Sequence, residues 1–240
     1  MAMPERPAPS PSAVFFDLDG TILDWQSGME TTWLAACEKH CDGSYVPAKL
    51  HEAIRARRTW FWDDPERGRT GRMNLDEACR EIVRRAFADS GLQNRDLAHR
   101  IANDDRRQRI ETIAPYAGAV ETLAAIHARG TPMALLTNGN AANQRRSVDR
   151  YDLAQYFDCI LIEGEFGVGK PDERVFRHAL DAVSARPETT WMIGDNLEAD
   201  IAPAIGMGMY SVWVDAAGDG LPADTPVRPD RIVRAISELV

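Results

Sequence analysis

Ala13-Val14-Phe15-Phe16-Asp17-Leu18-Asp19-Gly20-Thr21 is an apolar run that stops at two carboxylates, a glycine and a hydroxyl. Four apolar residues bounded by a polar, glycine-containing turn predict a short buried strand with polar groups gathered at its carboxyl end. Taken alone, Asp19-Gly20 also suits a hairpin turn between 14–16 and 21–23. The sequence after Pro115 favours the first reading, because it alternates between helical and strand patterns. Helices are predicted at 118–129, 141–151 and 172–183, with a short one at 201–205 and a closing one at 231–239. Strands are predicted at 132–137, 159–162, 190–193 and 210–214. Strands that are continuous apolar runs between helices imply a parallel sheet covered on both faces, so the fold class is α/β with a Rossmann-like open sheet.

The segment between the first strand and the alternating region has a different rhythm. Across 28–110 apolar residues recur at helical spacing, as in Ala78, Ile82, Val83, Ala86 and Phe87, and strand signals are nearly absent. Proline, glycine and aspartate cluster at 63–71, which reads as a connection between two helices. The expected organisation is a disordered tail at 1–12, a core built from 13–24 and 113–240, and a helical domain at 25–112 inserted after the first strand.

Bulk properties narrow the function. The 240 residues suffice to bury a core without staples, and 44% apolar with 27% charged residues is ordinary for a globular chain. The longest apolar runs are strand-sized, and the N-terminus has no apolar segment of the kind a signal peptide needs. The four cysteines, Cys37, Cys41, Cys79 and Cys159, lack zinc-type pairing and read as free thiols of a cytoplasmic protein. A net charge of −9 argues against nucleic-acid or membrane partners. Residues 51–110 hold 14 Arg against 11 acidic residues, a surplus of three positive charges. That basic segment suits a small anionic partner, or equally a helical surface laced with ion pairs.

In an open parallel sheet, sites form where strands end. Here the strand ends supply a coherent set: Asp17 and Asp19 after the first, Thr137-Asn138-Gly139 at the next, Lys170 after the third, and Gly194-Asp195 with Asp200 at the fourth. Each alone has a plainer reading, as a turn, a helix cap or a solvated lysine. Gly164-Glu165-Phe166-Gly167-Val168-Gly169-Lys170 also fits part of a nucleotide-binding P-loop. That motif requires Ser or Thr next, whereas Pro171 follows, and Glu165 places negative charge where phosphates would lie.

Together these residues resemble the haloacid dehalogenase (HAD) superfamily. Asp17-Leu18-Asp19-Gly20-Thr21 is similar to its nucleophile loop, Thr137 to its second motif, Lys170 to its third, and Gly194-Asp195 with Asp200 to its fourth. The resemblance covers nearly the whole chain except the tail, and the inserted helices at 25–112 look like the family's type-1 cap. It implies a hydrolase that acts on a small phosphorylated metabolite. Asp17 would be the nucleophile that forms an aspartyl phosphate, and Asp19 the general acid and base. Mg2+, with Mn2+ as a substitute, would be held by Asp17, Asp195 and the carbonyl of Asp19. Lys170, Thr137 and the backbone N–H groups of Asn138 and Gly139 would hold the phosphoryl oxygens, with Asp200 orienting Lys170 or a metal-bound water.

The same resemblance leaves other activities open: 2-haloacid dehalogenation, phosphoryl mutase chemistry, or a non-catalytic binding role. Asp19 disfavours the dehalogenase, and the stretch Trp33-Leu34-Ala35 lacks the basic residues expected of a mutase. Asp24 and Trp25, just after the nucleophile loop, are candidates for lining the entrance. Residues 55–62, rich in arginine and aromatic rings, read either as an anion clamp or, preferably, as an amphipathic helix. The sequence assigns neither the particular substrate nor an oligomeric state.

Overall fold

The computed structural model describes residue 8 and residues 10–240. Residues 1–7 and 9, part of the stretch read above as a tail, lie outside the described residues. The chain divides into two compact units, one running to Asp24 and resuming at Ala114, the other spanning Trp25–Ile113.

The first unit opens with β1 (Ala13–Phe16), all four residues buried. After the polar loop a two-residue strand, β2 (Leu23–Asp24), precedes the second unit. The second unit is wholly helical among its described elements: α1 (Met29–Lys39), α2 (Pro47–Trp62), α3 (Pro65–Met73), α4 (Leu75–Asp89) and α5 (Arg95–Thr112). Its core gathers Trp33, Leu50, Ile54, Phe61, Ile82 and Phe87. Burying each such side chain contributes about 1.5–3 kcal/mol before entropy is charged against it.

Two features of this unit bear on the sequence reading. The 63–71 cluster is not a connection but mostly helix α3. Asp64 caps it by accepting from the Arg67 N–H at 2.8 Å, and Pro65 occupies the first turn, where its missing N–H costs nothing. In the 55–62 stretch, Phe61 enters the core, while the Trp60 ring lies among the guanidiniums of Arg67 (4.0 Å), Arg85 (4.5 Å) and Arg57 (5.6 Å). Each of those arginines also pairs with a carboxylate, Asp64, Glu81 and Asp89 respectively. This is the amphipathic-helix reading, with its charges neutralised locally.

The first unit resumes at β3 (Ala114–Pro115), which pairs antiparallel with β2. There follow α6 (Ala119–Ala128), β4 (Met133–Thr137), α7 (Ala141–Arg150), β5 (Cys159–Ile162), the one-turn α8 (Glu163–Phe166), α9 (Glu173–Ala182), β6 (Thr190–Gly194), α10 (Ala202–Gly206), β7 (Tyr210–Val214) and β8 (Arg231–Val233). Where a closing helix is expected at 231–239, the structure has β8 and a 3-10 turn at Ile236–Leu239. Arg231, Ile232 and Val233 pair with Val212, Trp213 and Val214, so the β-branched residues extend the sheet instead of starting a helix.

The main sheet has six parallel strands in the order β5-β4-β1-β6-β7-β8. The α/β fold expected from the alternating patterns is the fold observed. β1 lies at its centre, with Phe15 opposite both Ala134 and Met192. Phe15 packs with Leu136, Val175 and Phe176 on the face that α9 covers. Val14, pointing to the opposite face, lines a small cavity with Ile126 of α6 and Ile193. Both faces of β1 are therefore buried, which is why its sequence is continuously apolar rather than alternating.

Candidate active site

Parallel strands place all their carboxyl ends on one edge of the sheet. Asp17 follows β1, Thr137 ends β4, and Asp195 follows the last residue of β6. Lys170 arrives from the segment after β5 and α8. Its ammonium lies 2.7 Å from Asp17 Oδ1 and 2.5 Å from Asp200 Oδ1. Asp17, Lys170 and Asp200 are 7%, 3% and 1% exposed, so this is a buried triad that water screens poorly.

Its electrostatics follow from burial and proximity. Burial alone would lower the pKa of Lys170, but Asp17 and Asp200 outweigh it and raise it. The ammonium is thus fixed in its charged form. Asp200 is pushed up to about 6, first by burial and against the pull of Lys170. Asp195 is pushed up to about 8 by burial and then by Asp17 and Asp200. One ammonium does not balance the negative charge collected here.

Small residues and specific bonds make the cluster possible. Gly20 has φ +92° and lies against the Asp195 carboxylate, where any Cβ would collide with it; both facts require glycine. A Cβ on Gly194 would likewise collide with the Asp200 side chain. Trp213 Nε1 donates to the Asp195 carbonyl at 2.7 Å, and the Asn196 N–H donates to Asp200 Oδ2 at 3.1 Å. Two strand ends and the loop after β6 are thereby locked in one arrangement.

A scan against family models matches residues 11–208 to the haloacid dehalogenase-like hydrolases. The chain belongs to this family. Within it the chain is phosphatase-like. A phosphoserine phosphatase of Thermus thermophilus is 37% identical over 74% of this chain, and the match spans 65% of that relative's length. An N-acylneuraminate-9-phosphatase of Rattus norvegicus is 28% identical over 95% of this chain and 91% of its own. Among solved structures, the HAD-hydrolase YfnB from Bacillus subtilis bound to magnesium superposes with a TM-score of 0.73 at 22% identity, covering 95% of this chain and 96% of that one. That likeness shows the fold.

The phosphatases of this family imply a divalent cation, and the residues present fit one. Asp17, Asp195 and Asp200 each offer a carboxylate oxygen, all within 4.8 Å of one another. Asp17 Oδ2 is buried without a hydrogen-bond partner, although a buried carboxylate oxygen normally has one. Hard oxygen donors and surplus negative charge suit Mg2+ or Mn2+.

The remaining expected residues of this hydrolase fall as follows. Asp19 lies in the loop after β1, half-buried, and its Oδ2 accepts from Gln144 Nε2 at 2.8 Å. Thr137 is 3% exposed at the end of β4. The Gly139 N–H donates to Glu163 Oε2 at 3.0 Å, so in this arrangement that donor is engaged within the protein instead of facing a ligand. Asp24 belongs to β2 and Trp25 opens the helical unit, where the Arg109 guanidinium lies 5.8 Å from its ring.

Glu163 and Gln144 escaped the sequence reading, as did the part played by the Asn138 side chain. The Asn138 side chain clamps the Lys170 backbone from both sides, accepting from its N–H and donating to its carbonyl, each at 2.7 Å. Glu163 holds Gly139, and Gln144 holds Asp19. None forms a recognisable spacing with its partner, since 32, 24 and 125 residues separate the pairs. Only the parallel-sheet topology brings them together.

Proposed function

We propose that this hydrolase is a Mg2+-dependent phosphomonoesterase that works through an aspartyl phosphate on Asp17. The observation that carries the reading is the buried Asp17–Lys170–Asp200 triad beside Asp195, with a second aspartate, Asp19, two residues beyond the nucleophile. The phosphatase names of several relatives support it.

An Asp17 carboxylate oxygen attacks phosphorus, a new O–P bond forms, and the bond to the alcohol oxygen breaks. Asp19 gives its proton to that leaving oxygen. Water then attacks the same phosphorus while Asp19 takes back a proton, and the Asp17–phosphorus bond breaks to release phosphate. One difficult displacement thus becomes two easier ones. Lys170 presents a fixed positive charge to the phosphoryl oxygens, and Thr137 supplies a hydroxyl donor from the adjacent strand end. Asp200 keeps the Lys170 ammonium in place. Mg2+, held by Asp17, Asp195 and the Asp19 carbonyl, would supply the charge that lets a carboxylate approach a phosphate dianion.

Asp19 separates this reading from 2-haloacid dehalogenation, which requires no proton donor for a departing halide. The helical unit, Trp25–Ile113, would set which small phosphorylated metabolite is taken, and Asp24 and Trp25, where the chain passes into it, are candidate entrance residues. The test is phosphate release from p-nitrophenyl phosphate. It should vanish with EDTA and return with Mg2+, and Asp17→Asn should lower it on the order of a thousandfold or more while leaving the fold intact. Turnover of Asp17→Asn within tenfold of the parent would refute the nucleophile assignment.

A further inference from the structure

We propose that Gln144 is the positioning residue for Asp19, fixing the carboxyl that trades protons with the leaving group and with water. This rests on the acid and base reading of Asp19 given above. Gln144 is the fourth residue of α7 and 7% exposed. Its backbone is set by the first turn of that helix, where its N–H donates to the Asn140 carbonyl at 3.1 Å. The Asn140 side chain caps the same turn by accepting from the Ala142 and Asn143 N–H groups. The amide nitrogen therefore has a rigid base.

From that base Gln144 Nε2 reaches two acceptors at once, Asp19 Oδ2 and the Asn138 carbonyl, each at 2.8 Å. An amide nitrogen carries two hydrogens, and both are used. Facing a backbone carbonyl leaves no ambiguity about which end of the amide points here, because the amide oxygen would meet an acceptor. The consequence for Asp19 is that its Oδ2 is held as an acceptor at a fixed place beside the Asn138 carbonyl.

The same amide ties Asp19 to the rest of the machinery. Asn138, whose carbonyl it binds, clamps the Lys170 backbone. A continuous chain of bonds thus runs from Lys170 through Asn138 and Gln144 to Asp19, linking three loops that carry the proposed chemistry. The bond from Gln144 restrains the rotation of the Asp19 carboxyl. General acid catalysis depends steeply on such placement, and a misplacement near 1 Å is worth about a hundredfold.

The experiment compares leaving groups. A good leaving group, 2,4-dinitrophenolate, departs without a proton, whereas phenolate and alkoxide need one. For Gln144→Met, kcat/KM for phenyl phosphate should fall on the order of 10–100-fold. For 2,4-dinitrophenyl phosphate it should stay within about threefold, with a burst of dinitrophenolate as the aspartyl phosphate waits for a placed base. Gln144→Leu, which removes both donors without adding charge, should show the same selectivity and serves where the methionine variant folds poorly. Equal losses on both substrates, or no loss on either, would overturn the proposal. Asp19→Asn is the control. If it lacks leaving-group selectivity, the acid and base reading itself fails; if it has the selectivity and both Gln144 variants lack it, the Gln144 proposal alone fails.

Discussion

Lys170 is the residue on which the site's electrostatics turn, because its ammonium lies between two buried carboxylates. Replacing it by methionine keeps the volume and removes the charge. Asp17 and Asp200 are then left without compensation, a situation that costs about 3–5 kcal/mol in comparable buried pairs. Lys170→Met should therefore lose activity and also unfold at lower urea concentration. The double variant Lys170→Met with Asp200→Asn should recover a substantial part of the stability and none of the activity. Urea unfolding with a phosphatase assay on the same samples separates the two effects, and a stability unchanged by Lys170→Met would show the triad to be energetically idle. The carboxylates, the lysine and the threonine of this site were legible in the sequence because each ends a strand or follows a motif of fixed spacing. Asn138 as a clamp, Glu163 and Gln144 were not, since their partners come from remote loops.

At the scale of elements, β5 and β7 match the expected 159–162 and 210–214 residue for residue: β5 is a run of four apolar residues, and β7 is buried at all five positions. The failures have local causes. Arg231–Val233 extends a sheet edge, and its identity as a strand depends on β7 lying beside it. In the 63–71 stretch proline and glycine suggest a break in the sequence pattern, but Asp64-Pro65 is a helix start. Gly71 shows why glycine persists inside α3. A Cβ there would press on the Phe61 ring and approach Trp62. Glycine to alanine in a helix interior normally stabilises by about 0.5–1 kcal/mol. Gly71→Ala should do the reverse and destabilise by about 1–3 kcal/mol, the range for overpacking a filled core. Chemical denaturation measures the sign directly, and a gain in stability would show that Phe61 yields at little cost.

At the scale of the whole molecule, folding must place carboxyl groups where water cannot reach them, and both units do so. In the first unit these groups serve the site. In the helical unit the corresponding group is Asp105, fully buried, accepting from Thr32 Oγ1 at 2.6 Å with the Arg109 guanidinium 3.9 Å away. Burial pushes its carboxyl up to about 6, against the pull of Arg109 and Thr32. A carboxyl whose pKa rises on folding binds its proton more tightly in the folded state. Its contribution is therefore most favourable in acid and is lost as pH rises through about 6. Carboxyls held down by partners, such as Asp104 beside Lys39 and Glu30 beside Arg58, act in the opposite sense, losing stability as pH falls. The two trends offset each other in the intact chain, so a difference measurement is required. Asp105→Asn removes the titration and keeps the shape. Relative to the parent, the variant should gain about 2 kcal/mol in unfolding free energy between pH 4.5 and pH 8, whatever its absolute stability after losing a partner for Arg109. Urea titrations at the two pH values supply the difference. A constant gap between parent and variant would mean that Asp105 is ionised with its ordinary pKa, and that Arg109 and Thr32 fully compensate its burial.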